Sequence, residues 1–400
     1  GADANPPPRP AAAASVRGMD FINGAVALHP ELTDKLGELG ELFTRKLWHQ
    51  LTDALEAFLS DRSNARGNAD GFLELYEQFL ARFESKLNQI RLANLLQLIA
   101  RSLSDPSQAI DFLQTRLQER TRLGSDASLC LELDTVLLRL QLGLLDEAKN
   151  GLDAAQETID ASPPSEAVVF SKLYKASAEY RKSAGPPEAY YANALMFLSY
   201  SSVEDLSEEE RYSLATDMSL AAITGDGVYN FGEVIATPIL AYLENTPNQW
   251  LRDLIFALHR GDIEAFNTVV DAFREQYFGQ TALKSRHEFV KQKVVLLSLM
   301  TMVFERPAHE RAVSFAAIAE RTKLPLDQVE WVVMRAMSLG LIRGTMDQVD
   351  QVLSVTWVQP RVLDREQIAG MATRIDSWIT RVREAQMYIQ DSSPELVAAT

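Results

Sequence analysis

Residues 314–363, SFAAIAERTKLPLDQVEWVVMRAMSLGLIRGTMDQVDQVLSVTWVQPRVL, decide the fold class. Ser314 is placed to cap a short helix running through Arg321. Lys323 and Leu324 make a turn, and Pro325 suits the first position of the next helix. Asp327 and Glu330 follow in its first turns, where the helix dipole favours acids. Val329, Val332, Val333, Ala336 and Met337 fall on one stripe, and Gly340 ends the helix in a left-handed conformation. Leu341 to Thr345 and Val352 to Val358 read as two strands joined by MDQVDQ, with Pro360 stopping the second. Helix, turn, helix and β-hairpin in this order make a winged helix.

Downstream, Asp364 and Gln367 have the spacing of an N-cap and its reciprocal partner. Ile368, Met371, Ile375, Trp378, Val382, Ala385 and Ile389 then recur at alternating steps of three and four. That is a heptad seam for helix-to-helix packing. About 28 residues at ~1.5 Å each give a rod of ~42 Å. A small winged helix offers too little surface to cover it. The seam is therefore expected to project and to bundle with partner chains, the other reading being that it folds back on its own domain.

Upstream, the apolar residues Leu36, Leu39, Phe43, Leu47, Leu51, Leu55 and Phe58 predict one face of an amphipathic helix. A second helix carries Phe72, Leu75, Phe79 and Phe83, and a third Ile90, Leu92, Leu95, Leu96 and Ile99. The pattern continues to Leu198, punctuated by Asp105-Pro106, SPPSE and Gly185-Pro186-Pro187. Strand-like alternation is nearly absent before residue 340. Short breakers between helical stretches predict an antiparallel array of helix pairs, a solenoid of tetratricopeptide-like geometry. The expected class is mainly α: helical solenoid, winged-helix module with a small β-hairpin, and long C-terminal helix. The expected divisions are a flexible extension 1–18, a solenoid 19–224, a further helical part 225–305, the winged helix 306–360, and the final helix and tail 361–400.

Composition excludes several functions. The chain has 400 residues, with 39 Lys and Arg against 55 Asp and Glu, a net charge of −16. Between Glu305 and Asp350 there are six basic and seven acidic residues. A groove reader needs cations for phosphates and Arg or Asn for base edges, so DNA binding by this winged helix is disfavoured. The longest nearly apolar stretch, Val294 to Phe304, falls short of the ~20 residues that span a bilayer. The Pro- and Ala-rich start lacks the order of a secretory signal.

Catalytic groups are not assembled either. His29, His49, His259, His287 and His309 include no His-Glu-x-x-His or His-x-His spacing, so zinc hydrolysis lacks ligands. There is no Gly-x-Ser-x-Gly elbow. The single cysteine, Cys130, sits in the apolar run LCLEL and reads as a buried thiol of a reducing compartment. GDGVYNFGEV (225–234) has three glycines but helical flanks, so it reads as a turn between helices rather than a phosphate loop. No catalytic, cofactor or metal site is expected. His49, beside Trp48, reads as a helix-surface or partner-contact residue.

A helical array leading into a winged helix and a long final helix resembles the PCI family, the scaffolds of the proteasome lid, the COP9 signalosome and translation initiation factor 3. The stretches FTRKLWHQLTDAL (43–55), GDGVYNFGE (225–233), LPLDQVEWVVMRAMSLGLIRGTMDQVD (324–350) and above all VTWVQPRVLDREQIAGM (355–371) narrow the resemblance to the lid members, over roughly residues 32–396. In that family the winged helices line up side by side and the C-terminal helices gather in a bundle. The resemblance implies a non-catalytic scaffold of the 26S lid, serving complex assembly and ubiquitin-dependent degradation in cytoplasm and nucleus. Its implied neighbours are other lid PCI subunits, the metalloprotease-fold dimer that includes the deubiquitinase, and a ubiquitin receptor near the solenoid. It implies a hetero-oligomer, with no nucleic acid, membrane or cofactor. The matching interface positions are Val352, Ser354, Thr356 and Trp357 on the hairpin, and Ile368, Met371, Ile375, Trp378, Val382 and Ile389 on the seam. A scaffold of a sister complex is the alternative, against which TWVQPRVL argues; a nucleic-acid binder is the more remote one.

Overall fold

A computed structural model describes residues 33–60, 69–103, 105–118, 123–306, 311–362 and 365–392. The expected extension 1–18 lies outside them, as do the side chains of Asp364 and Gln367. The chain divides into two compact units, Gly1–Ser202 and Val203–Thr400.

The first unit holds α1 (Thr33–Thr44), α2 (Trp48–Ser60), α3 (Ala69–Gln78), α4 (Gln89–Ser102), α5 (Pro106–Gln118), α6 (Ser125–Gln141), α7 (Leu145–Ala161), α8 (Ala167–Ala184) and α9 (Pro187–Tyr200). Helices α2, α4, α6 and α8 pack successively as one row, flanked by α5, α7 and α9. This is the expected solenoid, and its core is mostly apolar, with Leu55, Leu95, Leu131 and Val169 fully buried. One polar staple crosses the row. Lys172 Nζ on α8 donates to Asp134 Oδ2 on α6 at 2.6 Å and to Gln97 Oε1 on α4 at 3.1 Å. Burial pushes the Asp134 carboxyl above the usual carboxylate range, against the pull of Lys172.

Two helices differ from expectation. The amphipathic stretch 36–58 is broken, because Lys46 takes a left-handed φ of 56° between α1 and α2. On a continuous helix Phe43 and Trp48 would lie about 140° apart. With the break, both reach Phe83, with ring centroids 5.5 and 5.6 Å away. Phe79 and Phe83 in turn lie beyond the end of α3, flanking the first of two short 3-10 turns.

The second unit begins with α10 (Glu208–Thr224), α11 (Gly232–Ala236), α12 (Gln249–Arg260), α13 (Ile263–Ala272), α14 (Arg274–Gly279), α15 (Thr281–Ser285) and α16 (His287–Glu305). Ser207 and Glu210 form a capping box on α10, and Asp262 caps α13 through the amides of Glu264 and Ala265. The stretch 225–234 is a loop running into the short α11, as its helical flanks predict. Gly261, at φ 65°, lets the α12–α13 corner approach α16; a Cβ there would come within 2.8 Å of the Leu297 and Ser298 backbone.

The centre of this unit is a buried cation. Lys293 on α16 is 1% exposed, and its ammonium donates to Ala222 O at 2.8 Å, Ile223 O at 3.1 Å and Gly225 O at 2.9 Å. Tyr229, Phe231 and Phe289 present their rings 5.1–5.7 Å from it. The last carbonyls of a helix lack intrahelical donors, and a cation at that end also meets the negative pole of the dipole.

The winged helix follows as β1 (Ala312–Ser314), α17 (Phe315–Thr322), α18 (Leu326–Ser338), β2 (Ile342–Asp347) and β3 (Val352–Val358), with α19 (Arg365–Ser392) after it. Ser314 caps α17, Lys323 ends it at φ 54°, and Gly340 follows α18 at φ 70°. Pro325 is the N-cap of α18 rather than its first residue, with extended ψ of 147°. The first hairpin strand starts one residue later and ends two later than expected.

Replacing Lys293 by Met keeps the apolar stem and leaves three carbonyls without their donor. Lys293→Met is expected to lower unfolding free energy by about 3 kcal/mol or more, read from the urea midpoint by circular dichroism. A loss under about 1 kcal/mol would mean that water replaces the ammonium without strain.

Candidate partner interface

The sheet has the order β1-β3-β2, so β3 is its central strand. The expected hairpin is present as β2 and β3, and β1 adds a third strand on the other side of β3. Ala312 pairs with Ser354, Val313 with Leu353 and Ser314 with Val352, while β2 pairs with β3 along its other side. Val352 and Ser354 thus spend their backbone groups within the sheet, and only their side-chain face remains for a partner. The sequence carried little sign of β1, three residues long with Val313 its one buried position.

Along β3, Leu353 and Val355 point into the core and Ser354 and Thr356 outward. Trp357 is half-buried beneath Arg343, whose guanidinium lies 4.7 Å from the ring centroid. Thr356 Oγ1 donates to Arg343 O at 3.1 Å across a bulge at Arg343 and Gly344. At the hairpin tip, Asp347 Oδ1 accepts from Val349 N at 2.9 Å and Asp350 N at 3.0 Å. The four hairpin positions therefore form a small, mostly polar face backed by a cation-covered tryptophan.

Helix α18, the one a DNA reader would insert, buries Val329, Val332, Val333 and Ala336. Outward it exposes Leu326, Trp331 and Met334 with Asp327 and Arg335. Apolar groups there suit another protein better than phosphates. Trp331 also walls a cavity of about 500 Å³ shared with Ile263, Phe266, Lys291 and Arg335.

The long helix carries the larger surface. Ile368, Met371, Ile375, Trp378, Val382 and Ile389 are 43–66% exposed. From Ile368 to Ile389 every side chain but that of Ile379 is exposed. The seam is not folded back on the second unit. Apolar groups at helical spacing are thus left exposed along one face of the helix. Sequence reasoning missed Met387 and Tyr388, 62% and 73% exposed, because they fall off the strict heptad.

Among the described residues, no group of three or more His, Cys, Asp or Glu is placed to hold a metal ion. His49 lies on the surface of α2, 3.0 Å from Asp53, and His287 meets Tyr277 Oη at 3.1 Å. No described helix is long and apolar enough to cross a membrane. Cys130 is fully buried in α6, and burial pushes its thiol up from 9.0 to about 11. Labelling with an aromatic disulfide at mildly alkaline pH is therefore expected to proceed only at the rate of unfolding; a fast stoichiometric phase in the native chain would refute the burial.

Comparison with known proteins gives two successive matched regions, the first of which runs past the boundary between the two units. PSD13 N-terminal repeats match residues 35–255, and a PCI domain matches residues 265–357. The chain is 33% identical to 26S proteasome non-ATPase regulatory subunit 13 homolog A of Arabidopsis thaliana, over 95% of this chain and 99% of that one. It is 31% identical to 26S proteasome non-ATPase regulatory subunit 13 of Dictyostelium discoideum, over 96% of this chain and 100% of that one. Similarity to eukaryotic translation initiation factor 3 subunit M of Aspergillus oryzae is weaker, 24% over 52% of this chain and 44% of that one. Near full-length similarity, with repeats followed by a PCI domain, places the chain in the 26S proteasome non-ATPase regulatory subunit 13 family.

Proposed function

We propose that this chain is a non-catalytic scaffold of the 26S proteasome lid, joining neighbouring subunits through its winged helix and α19 in support of ubiquitin-dependent degradation. The observation that carries the reading is the seam of α19, which is exposed along its length. A helix that only completed its own domain would bury that stripe. Family membership supports assembly into a hetero-oligomeric regulatory complex.

In this reading the seam residues Ile368, Met371, Ile375, Trp378, Val382 and Ile389 enter a bundle with helices of other subunits. Val352, Ser354, Thr356 and Trp357 contribute through the face of the sheet to a lateral PCI neighbour. The metalloprotease-fold dimer containing the deubiquitinase is a further neighbour, and the solenoid of the first unit receives a ubiquitin receptor. Residues 225–305 and 306–360 form the PCI part, and 361–400 the bundle arm. Work in cytoplasm and nucleus follows from membership of such a complex, and no reaction is assigned to the chain itself.

Affinity purification from a cell extract with mass identification of stoichiometric partners tests this directly. Lid and base subunits are expected; initiation-factor subunits alone would overturn the assignment. Ile375→Asp and Trp378→Asp are expected to block incorporation while leaving the helical circular dichroism and thermal midpoint of the isolated chain within about 1 °C, because exposed sites change stability by less than ~0.5 kcal/mol. Early melting would instead place the seam in the chain's own core.

A further inference from the structure

Between Ile368 and Ile389, α19 has only the half-buried Ile379 as apolar packing to set its direction. Something else must hold α19, or it leaves the winged helix at a loose angle. The strand-to-helix junction supplies polar anchors. Arg361 directly follows Pro360, the residue that stops β3. Its Nη1 donates to Thr301 Oγ1 at 3.0 Å, and its guanidinium lies 4.9 Å from the Phe304 ring centroid. Thr301 Oγ1 in turn donates to Leu297 O at 2.9 Å, which orients the hydroxyl as an acceptor. The next residue, Val362, donates its amide to Asn230 Oδ1 at 3.1 Å. Gly232 makes room for this approach, since a Cβ there would sit 2.5 Å from Val362 O.

The second anchor comes from the helix. Arg374 Nη2 donates to Glu305 O at 3.1 Å, at the last residue of α16. A carbonyl at a helix C-terminus is unsatisfied within the helix and faces the negative pole of the dipole, so a guanidinium is the donor it prefers. Arg361 and Arg374 therefore grip one short length of α16, Thr301 to Glu305, from before and within the long helix.

We propose that Arg361 and Arg374 are positioning residues, a strap that fixes the direction in which α19 leaves the winged helix. The purpose of the strap, presenting the seam to a bundle, rests on the proposed function; its mechanics do not. An arm already held in one direction loses less orientational freedom on binding, so strapping strengthens assembly without touching the partner.

The test uses the full-length chain with spin labels at Asp327→Cys on α18 and Ser377→Cys on α19. Native Cys130 is buried and stays unlabelled. A single narrow distance distribution is expected for the parent. Arg361→Gln and Arg374→Ala are each expected to broaden it, with unchanged helical content. Arg374 is exposed, so its variant remains informative if Arg361→Gln folds poorly. A broad distribution in the parent, or a narrow one in both variants, would overturn the strap. Because labels are read on the isolated chain, this outcome is independent of whether Trp378→Asp blocks incorporation. If the seam variants assemble normally while the strap variants broaden, the interface reading fails and the strap stands.

Discussion

The second unit depends on one ammonium group. Lys293 leaves water and is surrounded by three backbone carbonyls and three aromatic rings. Burying an unpaired charge is prohibitive, so the C-terminus of α10, the loop after it and α16 have to meet in one arrangement. That arrangement places Asn230 and Gly232 where Val362 arrives, and Thr301 and Phe304 where Arg361 arrives. The route of the chain out of the winged helix is thus set by a contact made by residues more than fifty positions earlier. In the solenoid, Lys172 has the analogous place, tying three helices of one row through Asp134 and Gln97.

Much of this architecture was readable from local patterns. The caps of α13 and α17, the stripe of α18 and the seam of α19 are each written in residues a few positions apart. Propensity and periodicity act over that range, so they translate directly. The exposure of the seam was readable too, because its length could be set against the surface available to cover it. The turn at 225–231 was recognised from its flanks rather than from its glycines.

What was missed depends on distant partners. Nothing near Lys46 marks a break in an otherwise continuous apolar face; the break follows from Phe83, which draws Phe43 and Trp48 together. β1 exists because β3 offers it a free side, and three residues of alternation are too few to detect. Lys293 sits in a run that reads as an ordinary core helix with two lysines, Lys291 and Lys293, in its first half. TWVQPRVL was singled out as a distinctive string without a physical reason. Its Arg361 and Val362 contacts provide one: these residues fit a slot built from α11, α16 and the loop between α10 and α11.

The exposed rod has a consequence for the chain before it finds its partners. Trp378, Tyr388, Met387 and Ile375 are in contact with water in the single subunit, and association would remove them from it. An orphan copy and an incorporated copy therefore differ in surface chemistry while sharing a fold. On the proposed reading, the stripe is apolar surface that only copies outside the complex present to the solvent.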